Sequence, residues 1–324
     1  MIEYQDIILS SEQYKTLCSS FLDGNAFLFE SDDEVYLNNF SLMFAKHLMC
    51  KNESTMPCST CQNCLKVDLL SHSDLHIYPK SAKTVVVSDI KDLLDNIYLA
   101  PLESDKKIFI FNNFSSATPQ AQNKLLKVLE EPPANSYIIL NVSNVNKVLP
   151  TVLSRCQKTK LLPIENKLLI RVLQSKSEKN LESILALVDG NLTKALRYSS
   201  QADFDQIYNA VLDAAVKMKQ SKEVIKYSYA LSEKMDNLSL IIELFEAFFR
   251  DMLLLKLGKE NLVLDKSSIE SLASVLDEYS PDAIDLIIKR LYLVRKEMEF
   301  NCNKTTIIDS FLLYILEVKY LCKE

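Results

Sequence analysis

Up to about Pro163, five short apolar runs alternate with helical patterns, and beyond that point no strand signal recurs. Ala26 to Phe29, Leu75 to Tyr78, Lys107 to Phe111, Tyr137 to Val142 and Lys158 to Leu162 read as strands. Strands spaced this way pair in parallel, because a parallel neighbour is reached only through a crossover long enough to hold a helix. The intervening segments supply the helices. Asn39 to Met49 is helical in pattern, and Ile90, Leu93, Leu94 and Ile97 form one apolar stripe after Ser88 or Asp89 as cap. Thr118-Pro119 offers an N-cap with proline at the first helical position, and Pro132-Pro133 stops that helix. Its Ala121, Leu125, Val128 and Leu129 are expected to face the sheet.

The second half reads as helical throughout. Glu165 to Leu173, Asn180 to Val188 and Leu192 to Tyr198 form a three-helix unit broken at Gly190-Asn191. Longer helices are expected over Ala202 to Lys219, Lys222 to Lys234, Leu238 to Leu257, Ser267 to Glu278, Ala283 to Phe300 and Thr305 to Cys322, with Ser280-Pro281 as a cap. Gly258 is the only glycine beyond Gly190, so these helices should pack as a bundle. The expected fold class is therefore α/β plus all-α, divided at 1–163, 164–201 and 202–324. A chain of 324 residues, 48% hydrophobic, is long enough for two or three cores.

No run approaches the roughly 18 apolar residues of a membrane span, and the acidic start Met1-Ile-Glu-Tyr-Gln-Asp6 lacks the basic and apolar regions of a secretion signal. A cytoplasmic location is expected. The net charge of -6 argues against coating nucleic acid by bulk electrostatics, though a local basic face is compatible with it.

Four of the eight cysteines, Cys50, Cys58, Cys61 and Cys64, fall in one window with C-x7-C-x2-C-x2-C spacing. In a reducing compartment such a cluster is a metal site before it is a disulfide framework. Two-residue gaps let neighbouring sulfurs converge on one tetrahedral ion, which suits structural zinc. C-x2-C-x2-C also occurs in iron-sulfur sites, but here the fourth cysteine lies upstream and nothing else suggests electron transfer. His72 and His76 are nearby but are not needed by four thiolates; they read as a polar turn (Ser71 to Asp74) and a strand residue, and His47 as a helix residue.

Four segments, Lys107-Ile-Phe-Ile-Phe-Asn-Asn-Phe114, Asn123-Lys-Leu-Leu-Lys-Val-Leu-Glu-Glu-Pro-Pro133, Tyr137-Ile-Ile-Leu140 and Leu149-Pro-Thr-Val-Leu-Ser-Arg-Cys156, closely resemble in order and spacing the bacterial clamp-loader subunits of DNA polymerase III. The four-cysteine window belongs to the same pattern. The resemblance is strong over residues 20 to 163, and the remainder is similar in length and helical character. It implies an AAA+ parallel-sheet domain, a small three-helix lid and a C-terminal helical collar, with gamma or tau type ATPase subunits and a delta-type subunit as partners. Sliding clamp and primed DNA would be met through the complex.

Within that group the departures point to the delta-prime type. A working phosphate-binding loop needs glycines, a lysine and a Ser or Thr. The resemblance puts Leu37 at the lysine position, Asn38 at the Ser/Thr position, and Ser31, Glu34 and Tyr36 where glycines belong; Asp32, Asp33 and Glu34 would repel a triphosphate. Asn112-Asn113 stands where an acidic pair should hold magnesium and position water. The expectation is a chain that neither binds nor hydrolyses ATP. Lys194 lies near a lid position that approaches nucleotide in relatives, and reads here as a solvated helix residue.

The resemblance gives Arg155 a catalytic role in trans, on ATP held by the neighbouring subunit, where a planar cation offsets transition-state charge. A surface ion pair is the alternative for a bare Ser-Arg-Cys word. Lys124 and Lys127 are candidates for DNA phosphates or plain solvated charges. Two other functions stay open: a gamma-like ATPase with a divergent nucleotide site, and a stand-alone zinc-dependent nucleic-acid-binding protein.

Overall fold

A computed structural model describes residues 2–19, 24–52, 57–80, 84–174, 181–300 and 302–321; Asn180 and Cys322, both placed in helices above, lie outside them. The described residues pack as two compact units, Met1–Ile164 with Asn191–Thr193, and Glu165–Gly190 with Lys194–Glu324. Among them no helix is long and apolar enough to cross a membrane.

The first unit contains α1 (Ile2–Ser10), α2 (Glu12–Ser19), β1 (Ala26–Glu30), α3 (Glu34–Met49), α4 (Gln62–Asp68), β2 (Leu75–Tyr78), α5 (Val87–Ile97), β3 (Lys107–Phe111), α6 (Pro119–Glu130), β4 (Ser136–Val142), α7 (Pro150–Leu153) and β5 (Gln157–Lys160). All five strands pair in parallel in the order β2-β3-β4-β1-β5. The α/β expectation therefore holds strand for strand.

Both faces of the sheet are covered, as a parallel sheet requires. On β1 the side chains alternate, so Phe27 and Phe29 point to one face and Ala26 and Leu28 to the other. Phe27 and Phe29 meet Phe44 edge to face at centroid distances of 4.9 and 5.6 Å, and Phe29 meets Phe40 at 5.1 Å, which docks α3. On the opposite face Leu28, Phe109, Phe111, Ile138 and Leu140 pack with Ile90, Leu93 and Ile97 of α5 and Ala121, Leu125, Val128 and Leu129 of α6. The sheet-facing residues of both helices are thus the ones their apolar periodicity marks.

Helix ends follow local chemistry, with two departures. Thr118 caps α6 by accepting from the Ala121 N–H at 3.2 Å, with Pro119 in the first turn. The helix α5 starts earlier than expected: Val86 is its N-cap, and Asp89 works from the third helical position, accepting the Val86 N–H at 3.0 Å. The helix α3 also starts early, at Glu34 rather than Asn39, because Asp33 caps it.

Ser71 to Asp74 is not a solvated polar turn. Ser71 and Ser73 are exposed, but His72 and Asp74 are buried. The Asp74 carboxylate accepts the N–H groups of Leu102 and Glu103 at 2.7 Å and Ser104 at 2.9 Å, tying the loop before β3 to the start of β2. Burial alone would raise this carboxyl, but the N–H groups of Glu103, Leu102 and Ser104 outweigh it and hold it below the usual carboxylate range.

The second unit is helical, with α8 (Asn166–Gln174), α9 (Leu181–Val188), α10 (Leu192–Ser200), α11 (Phe204–Lys217), α12 (Ser221–Ser232), α13 (Leu238–Lys256), α14 (Ile269–Ala273), α15 (Pro281–Glu299) and α16 (Lys304–Leu321). At the centre lies α13, packed by α11, α14 and α15, with Phe245, Phe248 and Phe249 fully buried. Just past its end stands Gly258, whose φ of 67° favours a residue without Cβ; the Lys259 N–H returns to the Leu254 carbonyl at 2.9 Å and the Gly258 N–H to Leu255 at 3.0 Å. The single helix expected over Ser267 to Glu278 is instead a short α14 flanked by 3-10 turns. Its serines compete for backbone groups: Ser268 Oγ donates to the Asp265 carbonyl at 3.0 Å and Ser274 Oγ to Ser271 at 2.6 Å.

Asp74→Ala is expected to cost the first unit about 2 to 3 kcal/mol, since three N–H groups lose one buried, charged acceptor; urea unfolding at neutral pH measures it. Because the folded Asp74 carboxyl titrates below its unfolded value, its contribution is complete above about pH 4 and fades as pH falls through the folded value. The substitution should therefore flatten the acid limb of the stability profile.

Candidate functional site

In an open parallel sheet the ligand crevice lies beyond the carboxyl ends of the strands. Here a cavity of about 450 Å³ opens there, lined by Glu34, Leu37, Pro79, Ser143 and four asparagines, Asn38, Asn112, Asn113 and Asn141. Its chemistry is neutral or acidic. The backbone N–H groups at the start of α3, which would cradle a phosphate, are served by the chain's own anion: Asp33 accepts the Tyr36 N–H at 2.9 Å. The same carboxylate accepts from the Thr193 N–H at 3.0 Å and the Thr193 hydroxyl. Leu37, at the lysine position, is buried at 2% exposure, and no cationic side chain lines the cavity among the described residues.

Three of these asparagines form an amide ladder. Fully buried Asn141 donates to the Asn38 side-chain oxygen at 3.2 Å and to that of Asn112 at 2.9 Å, and accepts from the Ser41 hydroxyl at 2.5 Å. Asn38 and Asn112, which the resemblance puts at positions that would manage metal and water, are thus joined to each other through Asn141. Among the described residues Glu34 is the one carboxylate that lines the cavity. Asn141 was not singled out by sequence reasoning; a polar residue inside the apolar run Tyr137 to Val142 was the signal.

Arg155 follows α7, and its neighbour Cys156 packs against the sheet core, where burial pushes its thiol up to about 12. The guanidinium stays on the surface. Its NH1 donates to the Thr151 carbonyl at 2.7 Å and to Ser154 Oγ at 3.3 Å, and its NH2 to Glu130 Oε1 at 2.6 Å. Gln122 fixes the segment that leads into α7. It is buried, donates to the carbonyls of Ala117 at 3.0 Å and Lys147 at 3.1 Å, and accepts the Leu149 N–H at 2.8 Å. Sequence reasoning missed Gln122, although it shares the α6 stripe with Leu125 and Leu129 at i+3 and i+7. Lys124 and Lys127 are exposed on the same helix.

In the second unit Lys194 is not simply solvated. Its Nζ lies 3.0 Å from Glu243 Oε1, and Tyr198 donates its hydroxyl to the other oxygen at 2.8 Å.

Cys50, Cys58, Cys61 and Cys64 come together as a group that could hold a metal ion, with all four sulfurs within 4.8 Å of one another. Sulfurs about 2.3 Å from a tetrahedral ion lie roughly 3.8 Å apart, so the set is close to closed coordination. Cys50 ends α3, Cys61 is the N-cap of α4, and Cys64 is buried in its first turn. Backbone N–H groups already point at sulfur, Cys58 N to Cys50 Sγ at 3.4 Å and Cys61 N to Cys58 Sγ at 3.3 Å. The Thr60 backbone N–H, with neighbouring donors, brings the Cys58 thiol down to about 6, which favours the thiolate that ligation needs. His72 is buried and His76 half-buried elsewhere, with desolvation holding both imidazoles below their ordinary value, and neither joins the cluster.

Against known families, residues 12–165 match the model described as DNA polymerase III, delta subunit. Over these residues, just under half of the chain, it is similar to that DNA polymerase III family. It is 22% identical to the DNA polymerase III subunit delta' of Bacillus subtilis over 300 residues, covering 91% of each chain. It is 27% identical to the delta' subunit of Haemophilus influenzae over 187 residues, 56% of this chain and 57% of that one. With the tau subunit of Bacillus subtilis it shares 26% identity over 323 residues, 88% of this chain but only 57% of the longer relative. A gamma subunit-related protein of Thermotoga maritima aligns in structure at a TM-score of 0.48 and 20% identity, over 95% of this chain and 100% of that one.

The cysteine geometry carries its own test. Elemental analysis of the purified chain should find one thiolate-bound metal ion per chain, and Cys64→Ala should reduce that to near zero; a wild-type ratio far below one would overturn the assignment.

Proposed function

We propose that this chain is a delta'-like, non-hydrolysing subunit of the DNA polymerase III clamp loader, helping to load the sliding clamp onto primed DNA during replication. In this reading it binds no ATP. It lends Arg155 to the nucleotide of a neighbouring gamma or tau type subunit, where the planar cation neutralises charge developing on the transferred phosphoryl group.

The observation that carries the reading is the contrast between the two polar features of one sheet domain. The cleft offers Glu34 and neutral amides to a triphosphate, with the buried Asp33 already capping the helix beside it, whereas the one Ser-Arg-Cys arginine stands at the surface on a segment clamped by Gln122. Lys194, committed to Glu243, fits a lid that contacts no nucleotide of its own. Similarity to delta' over nine-tenths of both chains supports the same choice over the longer ATPase relatives.

The remaining assignments rest on this one. Residues 1–163 act as the AAA+ type domain, 164–201 as its lid, and 202–324 as the collar through which the chain joins gamma or tau type and delta-type partners. The metal at Cys50, Cys58, Cys61 and Cys64 is structural zinc, since four thiolates leave no open position for chemistry. The protein works in the cytoplasm, where replication takes place.

Arg155→Ala should leave the reconstituted complex assembled while slowing ATP turnover at the facing site by roughly 10³-fold, the scale of arginine-finger loss. Steady-state hydrolysis with primed DNA and clamp measures this; an unchanged rate would remove the proposed role. Equilibrium binding of a fluorescent ATP analogue to the isolated chain should show none at millimolar nucleotide, and saturable binding would revive the divergent-ATPase reading.

A further inference from the structure

The guanidinium of Arg155 has five N–H donors, and three are committed within the chain: two on NH1 to the Thr151 carbonyl and Ser154 Oγ, and one on NH2 to Glu130. Two donors are left, the number a bidentate contact to a phosphate takes. The three acceptors come from two elements. Thr151 and Ser154 belong to the α7 turn, while Glu130 is the last residue of α6. These two elements are fixed to each other by Gln122, so the acceptors form a rigid seat and not a chance surface pairing.

The placement of Glu130 is itself informative. A carboxylate at the carboxyl end of a helix faces the negative pole of the backbone dipole and is disfavoured there. Glu130 occupies that position at the end of α6, where the dipole would favour a cation. The Arg155 guanidinium supplies one at 2.6 Å, and the Thr151 carbonyl it also engages is one of the end carbonyls of α7. Both side chains are partly exposed, 33% for Arg155 and 51% for Glu130, so a ligand approaching from outside can reach the uncommitted edge.

We propose that Glu130 is the positioning residue for Arg155: its carboxylate, with the Thr151 carbonyl, holds one edge of the guanidinium so that the remaining two N–H donors are presented as a preformed fork to a phosphate of the adjoining subunit. This deepens the trans-acting reading of Arg155 and rests on it. An unheld arginine would sample many rotamers and present the fork only part of the time. Glu130 touches no substrate and moves no proton. An exposed pair of this kind is individually weak, so its removal is a modest effect on rate and not a collapse of the fold.

The test uses the reconstituted clamp loader with primed DNA and clamp. Glu130→Ala is expected to lower ATP turnover at saturating nucleotide by roughly 2- to 5-fold, the range an exposed ion pair spans, with the complex still assembled. Glu130→Gln keeps an acceptor oxygen and should restore most of the rate. On top of Arg155→Ala, Glu130→Ala should add nothing. In the isolated chain the Arg155 Nε–H resonance, assigned by its loss in Arg155→Lys, should be ordered in the wild type and in Glu130→Gln and motionally averaged in Glu130→Ala. A faster rate in Glu130→Ala would make Glu130 a restraint on the finger and overturn the proposal. So would a further loss in the double variant, or an Arg155 resonance that ignores residue 130. If Arg155→Ala alone leaves turnover unchanged, it is the trans-acting role that falls, whatever the resonance shows.

Discussion

A parallel sheet closed over on both faces must satisfy its backbone from neighbouring strands, because no water reaches it. That constraint fixes β1 between β4 and β5, with Phe29 opposite Asn141 and Glu30 opposite Val142. The loops leaving β1, β3 and β4 are thereby delivered to one edge, whatever side chains they carry. Frame and chemistry are separable for this reason: the first rests on inward phenylalanines and the strand ladder, the second on a few loop residues.

Charge follows the same division. A helix start that suits an anion holds the buried carboxylate of Asp33, so the electrostatic vacancy a phosphate would exploit is filled from within. The strongest fixed cation near the motifs, Arg155, sits instead on the outer surface beside Glu130. In the proposed function the first arrangement leaves the chain's own cleft without a nucleotide, and the second serves one held by another subunit. The cysteine cluster stands apart from both, at the far end of α3, where Lys46 pairs with Asp68 at 2.9 Å and reaches Ser59 between the cysteines at 3.2 Å.

Much of the frame was legible because it follows period. Strands β2 and β3 have the bounds their apolar runs suggest, and the others differ by a residue or two. Caps with a proline behind them, Thr118 and Ser280, work as read, accepting from Ala121 and Ala283. What escaped were polar residues acting inside: Asp74 in a supposed turn, Gln122 on an apolar stripe and Asn141 in a strand. Their partners lie tens of residues away, so nothing in local pattern distinguishes them from surface residues until the fold brings carbonyls and N–H groups to them. The same holds for Glu130, which reads as part of a motif and turns out to hold an arginine 25 positions on. The serine-rich stretch before Glu278 failed as one helix because its hydroxyls bid for the backbone, a competition that periodicity ignores.

The amide ladder ties residues from three distant stretches of sequence into one unit of inheritance. Asn141 satisfies both Asn38 and Asn112, so replacing either takes a partner from a fully buried amide, and replacing Asn141 takes one from both of them. Drift at these sites should be concerted: a lineage that alters one is pressed to alter its companions. The cleft is in this way held to a fixed lining by the mutual dependence of its walls.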